Sequence, residues 1–180
     1  MFESLQPAPA DAILKLIAES KADNRPEKID LGIGVYFTED GRTPVLNTVK
    51  KAEHRILGTQ ETKAYLGTAG SPEFNAAMQK HTFATDAYDD RLITVQAPGG
   101  SGSLRLAAGL MYRTRPDAKL WVSEPTWANH VPLLGSVGFE LVAYPYYDTD
   151  NHTIQFDDMI AGLKKADAGD IVVLHACCHN

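Results

Sequence analysis

The chain has 180 residues, 44% hydrophobic and 22% charged, with a formal net charge of −6. That is an ordinary globular composition, and the length suits one domain or a piece of a larger one. The acidic balance argues against nucleic acid as the main partner, no apolar run approaches the roughly 20 residues that span a bilayer, and the first residues lack the basic and apolar regions of a signal peptide.

From the N-terminus, Pro7 and Pro9 keep an arm extended. A helix is predicted from an N-cap at Asp11 to about Ala22, with Ile13, Leu14, Ile17 and Ala18 as its apolar face. Asn24-Arg25-Pro26 ends it. Leu31-Gly32-Ile33-Gly34-Val35-Tyr36 reads as extended, with glycines where backbone crowds a neighbour. A turn at Glu39-Asp40-Gly41 precedes a helix from about Pro44 to Leu57, and Ser71-Pro72-Glu73 opens another with a cap and a first-turn proline.

After Ala87 the pattern alternates. Strands are predicted near 92–96, 119–123, 139–143 and 170–175, and helices near 101–113, 127–136 and 157–165. This predicts an α/β layer architecture around a mostly parallel sheet, whose ligands sit outside the carboxyl ends of the strands.

Three motifs fall at that edge. Leu92-Ile93-Thr94-Val95 leads through Pro98-Gly99-Gly100 into an apolar-periodic helix, with Ser101 at its first turn. Glycines let backbone approach an anion, and helix-start amides can hold one. A glycine turn before a helix often only connects elements, however, and this one matches neither the P-loop nor the dinucleotide fingerprint; a nucleotide-binding module also lacks its acidic ribose partner. In the second motif Thr126 can cap the next helix, Trp127 can offer a flat face to a planar ring or merely cover the sheet end, and His130 can orient a polar group. The third, His175-Ala176-Cys177-Cys178-His179-Asn180, ends a buried strand and puts the Asn180 amide at the ligand edge. As a zinc site its spacing is poor, because adjacent ligands do not readily span a tetrahedron, so no metal is expected. The only cysteines, Cys177 and Cys178, are neighbours and poor disulfide partners, which points to a reducing cytoplasm. Tyr65 reads equally as a half-buried loop ring or as a hydroxyl donor to an anion.

Taken together these residues carry a resemblance. Leu31-Gly-Ile-Gly-Val-Tyr36, Thr43-Pro-Val-Leu46, Ala64-Tyr-Leu66, Pro98-Gly-Gly-Ser-Gly102, Trp121-Val-Ser123, Pro125-Thr-Trp127 with Asn129-His130, Tyr144-Pro-Tyr-Tyr-Asp148 and His175-Ala-Cys-Cys-His-Asn180 recur in shared order and spacing. Over nearly all its length the chain resembles the N-terminal part of class I pyridoxal-phosphate aminotransferases, aspartate/aromatic branch. The resemblance implies fold type I of the pyridoxal-phosphate transferases, incomplete here: an N-terminal arm (1–10), part of the small domain (11–45) and the first half of the large cofactor-binding domain (46–180). It implies that Gly100 and Ser101 bind the phosphate of pyridoxal 5'-phosphate, that Trp127 stacks on the pyridine ring and that Asn180 bonds the phenolic oxygen. His130 and His175 stand behind them, supporting the acid that pairs with the pyridine nitrogen. Gly34 lies beside the substrate, with Trp127 and Asn180, and Tyr65 reaches the neighbouring subunit's phosphate in a homodimer with shared sites.

The implied activity is ping-pong exchange of an amino group between aspartate or aromatic amino acids and a 2-oxoacid such as 2-oxoglutarate, in a cytoplasmic enzyme. The family's Schiff-base lysine and substrate-binding arginines have no counterpart in these residues. The 180 residues are therefore expected to belong to a longer polypeptide and to be inactive alone; the alternative is an inactive truncated product that keeps dimer contacts and part of the phosphate site. On this expectation the strand ending near His175 lacks both sheet neighbours.

Overall fold

The computed structural model describes residues 3, 12–32, 34–84, 89–176 and 178–180. The expected cap at Asp11, the arm up to Ala10 apart from Glu3, the Ile13 and Leu14 side chains, Ile33 and Cys177 lie outside the described residues. The chain divides into two compact units, Met1–Lys63 and Ala64–Asn180.

In the first unit, helix α1 (Ala12–Ala22) is followed by a segment tied back to its end. Lys28 Nζ donates to the carbonyls of Ser20 (2.7 Å) and Asp23 (3.0 Å), and Ser20 Oγ donates to Asp30 Oδ2 at 2.7 Å. The predicted turn forms, with Gly41 at φ +72° and Thr38 N–H donating to Arg42 O at 2.9 Å. Helix α2 (Asn47–Thr59) buries none of its residues, and Val49, Ile56 and Leu57 stay exposed.

The second unit holds the rest. Ser71 caps α3 (Pro72–Phe83) as its sequence predicts: its side chain accepts from Phe74 N–H, and Pro72 sits in the first turn, where no amide is needed. After a 3-10 turn at Asp89–Arg91 come α4 (Gly99–Thr114), β1 (Lys119–Glu124), α5 (His130–Gly135), β2 (Glu140–Pro145), a short antiparallel pair β3 (Tyr147–Asp148) and β4 (Thr153–Ile154), α6 (Phe156–Leu163) and β5 (Ile171–Val172).

The sheet order is β2-β1-β5, all parallel. Leu120 and Val122 of β1 face Ala108 of α4 and Leu134 of α5 in the core, with Ala118 and Phe139. Residues alternate in direction along a strand, so Trp121 and Ser123 face the other side, as does Tyr144, which pairs with Ser123 and packs at Gly162 of α6. Four consecutive β1 residues are buried, as expected of a central parallel strand covered by helices on both faces. Gly138 (φ +122°) turns the chain from α5 into β2, and a Cβ there would sit 2.8 Å from the Tyr112 ring.

Two expectations are corrected. The strand ending near His175 does have a neighbour: Ile171 and Val172 pair with Leu120 and Trp121. Asp170 fixes that pairing, accepting from Trp121 Nε1 (2.8 Å), Lys119 N–H (2.9 Å) and Asp167 N–H (3.0 Å). These donors, the indole foremost, hold its carboxyl below the usual carboxylate range. Conversely, residues 92–97 form no strand. A β-branched run favours extended backbone, but a strand needs a ladder, and among the described residues this stretch makes a single inter-segment backbone bond, Gln96 N–H to Ala69 O at 2.9 Å.

Candidate active site

The three parallel strands end at one edge, and each runs into a segment carrying polar or aromatic groups: Pro125–Asn129 after β1, Tyr146 after β2, and the stretch to Asn180 after β5. A cavity of about 420 Å³ opens there, lined by Pro125, Thr126, Tyr146, Tyr147, Ile154, His179 and Asn180.

Behind the cavity a backbone amide, two imidazoles and a hydroxyl form one directed chain. Asn180 N–H donates to His175 Nδ1 at 3.0 Å. That nitrogen is therefore bare, and a neutral His175 carries its proton on Nε2, which lies 3.2 Å from Thr126 Oγ1. The Thr126 hydroxyl, having accepted there, donates onward to His130 Nδ1 at 2.8 Å. His130 then holds its own proton on Nε2. Burial holds His130 and His175 below the ordinary histidine value; the neighbouring His179 lowers both further, and His130 lowers His175. Both are neutral at pH 7, as the chain of bonds requires.

His179 stands beside this chain. Its ring lies between Tyr146 (centroids 3.8 Å apart, planes 12° apart) and His175 (4.0 Å, 11°). Its Nε2 is 2.9 Å from Pro125 O, a group that only accepts, so Nε2 carries the proton and also reaches Ser123 Oγ at 3.1 Å. Below, Tyr144 Oη donates to Val173 O at 2.8 Å and fixes the approach to His175.

The glycine turn forms the start of α4. Gly99 has φ +71°, no side chain caps the helix, and a Cβ at Gly99 or Gly100 would meet nothing within 4 Å. At Gly102 a Cβ would come 2.9 Å from Pro98 Cγ, so the first turn closes tightly on Pro98. Gly99 N–H already donates to Ala97 O at 2.9 Å, Pro98 gives the amides that follow no side-chain cap, and Ser101 is exposed beside them.

The structure brings Asn180, His175 and His130 into one network and Asn180 into the cavity wall. Trp127, half-buried, meets His130 edge-on at 5.3 Å. Tyr65 is fully exposed in the second unit, and Gly34 lies in the first unit with open space around it. Thr126 does not cap a helix: α5 begins at His130 with Asn129 as cap, and the Thr126 hydroxyl is spent on the histidines. The ring nitrogens of the HACCHN segment bond to Thr126, Asn180 N–H and Pro125 O instead of converging on a point, and Cys178 is free and exposed. Sequence reasoning missed His179 and Tyr146. The one available signal was the i, i+4 spacing of His175 and His179, which says nothing of a tyrosine stacked from another strand end.

Comparison with known proteins gives the family of the chain. The family described as Aminotransferase class I and II matches residues 26–180. The chain is 48% identical over 183 aligned residues to the aspartate aminotransferase of Escherichia coli (strain K12), and 41% identical over 180 to the aromatic-amino-acid aminotransferase of Paracoccus denitrificans; each alignment takes in 100% of this chain and 46% of the relative. A crystal structure of the aromatic-amino-acid aminotransferase from Burkholderia pseudomallei, covalently bound to pyridoxal phosphate, superposes with a TM-score of 0.93 at 42% identity, covering 100% of this chain and 46% of that one. The chain thus spans about half the length of the curated relatives it matches. With a family match over residues 26–180 and relatives aligned from end to end of it, the chain belongs to the class I and II aminotransferases.

Proposed function

We propose that these residues form part of a pyridoxal-phosphate-dependent aminotransferase that moves an amino group between aspartate or aromatic amino acids and a 2-oxoacid such as 2-oxoglutarate. The observation that carries the reading is the directed chain from Asn180 through His175 and Thr126 to His130, set behind a cavity at the carboxyl edge of the sheet. Two features support the coenzyme: a helix start without a side-chain cap and with room at the Cβ positions of Gly99 and Gly100, and, apart from it, Asn180 at the wall of the cavity on the sheet edge.

When bound, pyridoxal phosphate supplies the electron sink for a carbanion at the substrate α-carbon. The protein's own groups do the holding. Amides at Gly100 and Ser101, with the Ser101 hydroxyl, take the phosphate at the positive end of α4. Trp127 covers the ring, and the Asn180 amide donates to the phenolic oxygen. His175 and His130, kept neutral, maintain the polarity of the chain and support the acid at the ring nitrogen. Gly34 leaves room beside the substrate, next to Trp127 and Asn180. Tyr65, fully exposed, is free to serve a neighbouring subunit's phosphate, and the exposed apolar residues of α2 support a homodimer. A cytoplasmic location and a part in amino-acid biosynthesis complete the reading, and no helix among the described residues is long and apolar enough to cross a membrane.

The test uses the protein at its natural length, stripped of coenzyme and titrated with pyridoxal phosphate, followed by visible absorption and tryptophan quenching. The wild type saturates, and Ser101→Ala weakens binding about tenfold, the loss of one hydrogen bond to a charged group. Amino transfer from aspartate and phenylalanine to 2-oxoglutarate is then measured. A protein that takes up no pyridoxal phosphate, or transfers nothing from either donor, refutes the proposal.

A further inference from the structure

The geometry points to His179 as a positioning residue: sandwiched between Tyr146 and His175 and hydrogen-bonded to Pro125 O, it fixes the tautomer of His175 and the placement of the Asn180 backbone N–H. Its significance for the coenzyme rests on the aminotransferase reading; its effect on His175 does not.

The argument is one of constraint. The His179 ring is held on both faces and at one edge, by groups from all three strand ends: Tyr146 after β2, His175 after β5, and Pro125 with Ser123 at the end of β1. With the ring fixed, so is the backbone that carries it. The next amide, Asn180 N–H, then meets His175 Nδ1 at 3.0 Å. That single bond keeps the Nδ1 of His175 bare and its proton on Nε2, which sets the direction of the whole run through Thr126 to His130. Without the wedge, residues 178–180 lose their anchor to β1 and β2, the Asn180 backbone N–H is free to leave His175, and water can compete for either ring nitrogen. Thr126 would then face a bare nitrogen in part of the molecules, and the order of donors and acceptors would no longer be single.

Imidazole nitrogen NMR on histidine-labelled protein of natural length, free of coenzyme, reads the tautomers directly. In the wild type His175 is a single Nε2–H form. In His179→Ala it becomes a mixture of both forms. His179→Phe keeps the two stacking faces and restores mostly the Nε2–H form, a rescue that a role unrelated to His175 would not produce. Should the alanine variant fail to fold, His179→Gln keeps an N–H for Pro125 without the stack, and the mixture is expected there instead. A single Nε2–H tautomer of His175 in whichever of these two stack-less variants folds overturns the inference. Pyridoxal phosphate affinity is measured alongside, and the unstacked variant is expected to bind about fivefold more weakly, the worth of one displaced hydrogen bond. A wild type that binds no pyridoxal phosphate sinks the aminotransferase reading and leaves the tautomer result standing; unaltered tautomers in a protein that does bind it sink only the role of His179.

Discussion

Thr126→Val removes the hydroxyl that joins His175 to His130 while keeping the shape of the side chain, so no cavity opens. Two bonds are lost: the 2.8 Å bond to His130 Nδ1 and the longer 3.2 Å contact from His175 Nε2. His130 is only 7% exposed, so its acceptor is left without a donor and incurs a desolvation cost of about 1–2 kcal/mol. His175 is half-buried and can recover part of its bond from water, at a cost of about 0.5 kcal/mol. The expected loss is therefore about 2 kcal/mol, read as a lower urea midpoint at unchanged slope. Thr126→Ser restores the hydroxyl at the expense of one methyl, and at least half of the stability should return. A valine variant within about 0.5 kcal/mol of wild type, or a serine variant no better than valine, would show that the chain of bonds does not operate as described.

Tyr144→Phe removes the bond to Val173 O from a side chain 1% exposed and should cost about 1 kcal/mol by urea unfolding; no change would mean that water or another donor serves that carbonyl. Leu120→Ala, at a core position 0% exposed, should cost about 3 kcal/mol in the same assay, and a loss below about 1 kcal/mol would contradict the packing of α4 and α5 on this strand. The pH dependence follows from His130 and His175, whose folded values are depressed. Between those values and the unfolded value of about 6.5, the unfolded chain binds more protons, so stability is fully present above pH 6.5 and falls as pH drops toward the folded values. Asp170, depressed in the carboxylate range, adds a separate loss at still lower pH. Melting temperatures taken from pH 8 downward should begin to fall near pH 6.5; a flat profile to about pH 5 would contradict neutral, buried imidazoles.

Local rules sufficed for much of this molecule. Ser71-Pro72 capped a helix, Gly41 made a turn, and alternating apolar runs marked β1, β2 and α4, because caps, φ values and face periodicity are decided within a few residues. The glycine turn before α4 and the positions of Trp127, His130, His175 and Asn180 at the sheet edge were likewise legible from motif order. Tertiary structure decided the rest. Residues 92–97 have β-branched composition but no ladder, since a strand is a property of two segments. β5 gains its neighbour through Asp170, whose three donors come from residues 3 to 51 positions away. Thr126 has the chemistry of a helix cap, and the approach of His175 from 49 residues downstream turned its hydroxyl into a link between imidazoles. Which nitrogen of His175 bears the proton depends on an amide and a stacked ring that meet only when three strand ends converge, a condition on position in space that residue order does not encode by itself.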